Sequence, residues 1–153
     1  MDIGNKLNSY IPLVREIRYL ESKIEAIRDR QTSIRSSSDV SEVQAPGGNS
    51  DKIGNSIAEL IDLEDMYLSK IDKANAELKE IETLIEELTP TERLLIRAKY
   101  IDGEYLEAIC GIIGYSYGQT KRIHNAALRK LDEHEKMSHN EPYWHDIIVL
   151  SKV

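Results

Sequence analysis

Between Tyr117 and Leu131 the chain carries Gln119, Lys121, Arg122, Asn125, Arg129 and Lys130, and no acidic residue. Amides that both donate and accept, and a guanidinium that donates from a planar fork, match the edges of bases. Ammonium and guanidinium groups also meet phosphates. Thr120, Ile123, Ala127, Leu128 and Leu131 recur at helical spacing, which turns them toward a core. Tyr117, Gly118, Gln119, Lys121, Arg122 and Asn125 then fall on the outward side. The candidate contact residues are therefore Tyr117, Gln119, Lys121, Arg122, Asn125 and Arg129. Arg129 and Lys130 suit phosphates, or simply the negative end of a helix. His124, beside the outward set, reads as a surface histidine.

Three closely spaced helices must position these groups. Thr89, Pro90 and Glu92 form a capping box with proline at the first helical position. That helix should stop near Gly103, and a second should run over about 104–113 to Gly114. Ser116 and Gln119 form another capping box, which starts the third helix. Cys110, four residues before Gly114, supplies a small residue facing the neighbouring helix, and Gly114 tolerates the positive φ of a tight turn. Helix, glycine turn and basic helix make a helix-turn-helix, the motif whose second helix enters the major groove of DNA.

The run IRAKYIDGEYLEAICGIIGYSYGQTKRIHNAALRKL resembles region 4 of bacterial sigma factors. It is closer still to the sigma-region-4-like domain of phage and prophage late transcription regulators of the RinA/ArpU type. The resemblance lies in Arg97, Tyr100, Ile101 and Gly103, then Ile109, Gly114-Tyr115-Ser116, and Ala127, Leu128 and Leu131. It covers about a quarter of the chain. Two departures stand out: Ala108-Ile109-Cys110 replaces the usual E-I-A of the second helix, and Gly118 sits early in the third. The resemblance implies a regulator that reads promoter DNA and touches RNA polymerase.

Charge follows the same division. The chain carries −7 overall, but residues 89–131 hold seven basic and four acidic groups, whereas 51–88 hold four and eleven. Positive charge concentrated at the motif is the electrostatic footprint of a nucleic-acid contact, and its modest size suggests that two copies act together on one DNA.

The first 88 residues carry heptad seams. Tyr10, Leu13, Ile17, Leu20, Ile24, Ile27, Gln31 and Ile34 alternate spacings of three and four. Ile53, Ile57, Leu60, Glu64, Tyr67, Ile71, Ala74, Leu78, Ile81, Ile85 and Leu88 do the same. The spacing predicts helices over about 9–35 and 51–88, separated by a polar, glycine-containing flexible loop at 36–50. Ile61, Leu63, Leu68 and Leu84 widen the second apolar stripe beyond a two-stranded seam. The two helices can pair as a hairpin within one chain or as a bundle between chains, and a homo-oligomer, a dimer first of all, is expected. Glu77, Glu80, Glu82, Glu86 and Glu87 form an acidic outer face, read as solvated, with a basic surface such as that of RNA polymerase as the alternative.

Enzymatic readings find no support. The histidines lack metal-ligand spacing, Cys110 is the one cysteine, and neither a phosphate loop nor a dinucleotide fingerprint occurs. No metal, no cofactor and no catalytic residue is expected. One cysteine excludes an intramolecular disulfide and fits a reducing cytosol. No apolar run reaches the roughly 18 residues that span a bilayer, and no signal region opens the chain, so a cytoplasmic protein with no membrane contact is expected. The whole reads as an all-α chain. A two-helix coiled-coil arm (1–88) precedes a sigma-region-4-like helix-turn-helix domain (89–136) and a tail (137–153), whose Tyr143, Trp144, Ile147, Ile148, Val149 and Leu150 are expected to fold back onto the domain or to serve as a partner-binding segment. Two other roles share this architecture: a phage small terminase subunit that recognises a packaging site, and a coiled-coil interaction or antagonist protein without DNA contact.

Overall fold

The computed structural model describes residues 2–37 and 49–140. Among these residues every regular element is an α-helix. In order they form α1 (Ile3–Asn8), α2 (Tyr10–Ser37), α3 (Asn49–Ile85), α4 (Pro90–Tyr100), α5 (Leu106–Ile113) and α6 (Tyr117–Asn140). Packing divides them into two compact units, one of residues 12–77 and one that joins 1–11 to the segment from 78 onward.

In the unit 12–77, Leu13, Leu20, Ile24 and Ile27 of α2 and Ala74 of α3 are buried, as the heptad seams predict. Glu16 pairs with Lys70 and Arg28 with Glu64. Gln31 donates to the Ser56 hydroxyl at 3.2 Å. Partners on α3 fall in number as those on α2 rise, so the helices run antiparallel within one chain. The hairpin within one chain, one of the two pairings open from sequence, is thus present. One hairpin does not cover the second seam's whole stripe: Ile57, Ile61 and Leu68 are each about half exposed, at 45%, 52% and 58%. Edge residues of the predicted 36–50 loop are helical, and 38–48 lies outside the described residues.

The other unit has a single core built from distant parts of the sequence. Ile3 and Leu7 of α1, Ile81 and Ile85 at the end of α3, Leu88 of the α3–α4 connection, Leu95, Ile96, Ala98 and Tyr100 of α4, Ile109 of α5, and Ala127 and Leu131 of α6 pack together. Helices α4, α5 and α6 contact one another, and α1 lies on α6. The packing boundary therefore falls at 77/78, whereas the sequence places it at 88. The apolar stripe of α3 continues without a break through both units, so periodicity alone has no mark at which to divide it. Helix α1 precedes the predicted start at 9. It ends where the Ser9 hydroxyl donates to the Lys6 carbonyl at 2.8 Å.

Local signals account for the helix ends. Thr89 accepts from the Glu92 backbone N–H, and the Glu92 carboxylate accepts from that of Thr89 at 3.1 Å, the complete capping box. Gly103 (φ 76°) and Gly114 (φ 75°) both occupy the left-handed region that glycine enters at least cost. Helix α5 begins at Leu106 with Tyr105 as its cap, two residues later than expected. Among the described residues no helix is long and apolar enough to cross a membrane.

Candidate nucleic-acid interface

Helix α6 sorts its side chains in the way its spacing dictates. Thr120, Ala127 and Leu131 are fully buried, and Ile123 and Leu128 pack against the same core partly covered. Tyr117, Gly118, Gln119, Lys121, Arg122, Asn125 and Arg129 are all exposed, on the side away from that core. All six predicted contact residues thus share one open face of one helix.

A three-residue link aims that helix. Gly114 ends α5 with its N–H donating to the Cys110 carbonyl at 2.9 Å, and Tyr115 and Ser116 complete the connection. The Ser116 hydroxyl accepts from the Gln119 N–H at 3.3 Å, so the predicted cap is in place. The Gln119 side-chain oxygen accepts from Arg122 Nη1 at 3.5 Å on the exposed side. Cys110 departs from expectation. It is only half-buried and its thiol donates to the Leu106 carbonyl within its own helix at 3.1 Å, while Ile109, fully buried, occupies the core position. A helix of two turns presents one side to its neighbours, and the larger apolar side chain takes it.

Other charged groups hold the unit together and do not face the open side. Lys130 donates to Glu92 at 2.6 Å, joining α6 to the N-terminus of α4, so it is a tie between helices and not a free phosphate contact. Burial pushes the Glu92 carboxyl up. The Lys130 ammonium and the Thr89 backbone and hydroxyl groups outweigh that, and the net position is below the ordinary carboxylate value. Arg97, one of the residues that carry the sigma-region-4 resemblance, donates through Nε to both carboxylate oxygens of Glu82 at 3.0 Å, with Nη2 adding a further contact. That hydrogen-bonded guanidinium holds the Glu82 carboxyl low. Glu82 is therefore a structural anchor and departs from the solvated acidic face to which the sequence assigns it.

His124 is the largest departure. The ring is buried, at 9% exposure, and not on the surface. Its Nε2 lies 2.8 Å from the Tyr100 hydroxyl, the two rings stack with centroids 5.8 Å apart, and Nδ1 lies 3.2 Å from Asn125 Oδ1. The spacing of Thr120, His124, Ala127 and Leu131 places this ring on the buried stripe, a signal that its polarity masks. Tyr105 and Ile112, which the sequence reading passes over, stand exposed around the turn together with Tyr115, at 80%, 54% and 46%. They add aromatic and apolar surface beside Tyr117. Among the described residues no three His, Cys, Asp or Glu side chains come together to hold a metal ion.

The face thus offers two guanidinium forks, one ammonium, two amides and a phenol, with no carboxylate from Tyr117 to Leu131 to repel a polyanion. Comparison with known protein families, with curated proteins and with solved structures finds no match.

Proposed function

We propose that this chain is a sequence-specific, double-stranded-DNA-binding regulator of transcription that reads the major groove with α6. The observation that carries the reading is the sorting of α6: Gln119, Lys121, Arg122, Asn125 and Arg129 lie exposed together opposite a fully buried stripe. Arg122 offers a bidentate fork to guanine, Gln119 and Asn125 reach base edges, and Lys121 and Arg129 meet phosphates. The resemblance to phage and prophage late regulators of the RinA/ArpU type makes a promoter the proposed target. A cytoplasmic location and contact with RNA polymerase follow from the same reading.

The proposed assembly is a homodimer that sets two copies of α6 about one helical turn of DNA apart. Support comes from Ile57, Ile61 and Leu68, which the hairpin leaves exposed on one side of α3. Sedimentation should give a dimer, and lysine at Ile57 and Leu68 should give folded monomers. A wild-type monomer at micromolar concentration rules the dimer out, and a large ring favours the terminase role. DNA binding is tested by titration of duplex DNA at several salt concentrations. The logarithm of affinity should fall linearly with the logarithm of salt, with a slope of about 0.9 per phosphate contacted. A flat response would instead leave a protein-interaction module.

A further inference from the structure

Asn125, exposed, and His124, buried, are neighbours in sequence and are tied to each other through their side chains. An amide oxygen carries no proton, so the 3.2 Å contact requires His124 Nδ1 to hold the hydrogen and donate it to Asn125 Oδ1. A neutral ring then has a bare Nε2, and the Tyr100 hydroxyl, 2.8 Å away, donates to it. Burial disfavours a charged ring here, and the nearby Lys99 ammonium acts in the same direction against the bond to Asn125. The ring is held in place by Tyr100, stacked at an interplanar angle of 19°. A directed chain of donors thus runs from the core of α4 to the open face of α6.

This arrangement has a consequence for recognition. The amide oxygen of Asn125 is turned toward the buried ring, so its amino group leads outward. Pairing with adenine requires the opposite balance: the amide must present oxygen to N6 and nitrogen to N7 side by side. Guanine offers two acceptors, O6 and N7, and both suit an outward amino group. We propose that His124 is a positioning residue that fixes the Asn125 amide as a donor, making Asn125 a reader of guanine in preference to adenine. The proposal rests on α6 being the element that reads DNA.

Two measurements test it. In the free protein, nitrogen NMR shifts of the His124 ring should show Nδ1 protonated and Nε2 bare; the reverse tautomer overturns the proposal with no DNA present. The second is selection of bound duplexes from random sequence. Glutamine at 124 can still accept from Tyr100 but leaves nothing at the Nδ1 place, whereas asparagine restores a donor there. Wild type and His124→Asn should share a guanine preference at one base pair, and Asn125→Ala should lose it by about fivefold or more. His124→Gln should raise adenine relative to guanine at that pair by a similar factor. An unchanged selected site for His124→Gln overturns the proposal while DNA reading stands. A wild-type protein that enriches no sequence removes the DNA reading and the proposal with it.

Discussion

Lys130 of α6 and Glu92 of α4 meet at 2.6 Å on a carboxylate that also accepts from the backbone N–H of Thr89. One acid therefore closes the N-terminus of α4 and pins the last helix against it. Glu92→Ala removes both and should cost about 2 kcal/mol, measured by urea unfolding. Lys130→Ala should cost less than about 1 kcal/mol, since its ammonium is half exposed. The Glu92 carboxyl sits below its ordinary value of 4.5 in the folded chain. Its contribution is present above that value and is lost as pH falls through the lower, folded value. Lys130→Ala should flatten this acid limb.

The buried His124 gives a second pH dependence at milder acidity. Burial first, and the Lys99 ammonium with it, lower its folded value below 6.5. The unfolded chain then binds the extra proton in the window just below 6.5, so stability is full above that window and declines as pH drops through it. Melting temperature should fall between pH 7 and pH 5, and His124→Gln should reduce the slope. At pH 7, Tyr100→Phe leaves Nε2 without a donor and should cost about 1–2 kcal/mol.

Thr120 is fully buried on α6, and its hydroxyl has no hydrogen-bond partner among the described residues. Valine has nearly the same shape without the orphaned group. Thr120→Val should therefore stabilise the fold by about 1 kcal/mol in urea unfolding, with affinity for DNA unchanged. A loss of stability would mean that the hydroxyl is satisfied in solution.

Two glycines of the turn and the helix after it should respond in opposite directions. Gly114 has φ 75°, where an added Cβ strains the backbone, so Gly114→Ala should cost about 1–2 kcal/mol. Gly118 is inside the first turn of α6, and a Cβ there meets nothing within 4 Å. Gly118→Ala should gain about 0.5 kcal/mol by thermal unfolding. Equal losses at both positions would show that Gly118 also needs a backbone that alanine cannot adopt.

Helix starts and stops were legible because caps and positive-φ glycines act locally: Thr89 with Glu92, Gly103 and Gly114 all do what their neighbours dictate. The faces of α6 were legible because one period fixes Thr120, Ala127 and Leu131 against Gln119, Lys121 and Arg122. Partnerships were not. Nothing in sequence ties Glu82 to Arg97 or Lys130 to Glu92, since those pairs depend on how helices pack. His124 was misplaced because a polar type outweighed its position on an apolar stripe. Ile3 and Leu7 lie outside the seam because the spacing from Leu7 to Tyr10 repeats a three where the alternation needs a four.

The core beneath α6 is drawn from both sides of the unit 12–77 in sequence: Ile3 and Leu7 come before it, and Ile81, Ile85 and Leu88 after. A fragment cut at residue 89 to isolate the three helices would leave Leu95, Ile96 and Leu131 without these neighbours, and so would be a poor minimal domain. The antiparallel hairpin also has a kinetic meaning. Once α2 and α3 are zipped, their open ends lie side by side, and the entropy of closing the long intervening loop has already been lost. The segment that begins the chain then needs only a local search to find the segment that follows α3. The hairpin should thus act as a folding clamp for a core to which Ile81 and Ile85, at the end of its own α3, contribute, and slowing its formation should delay burial of Leu131.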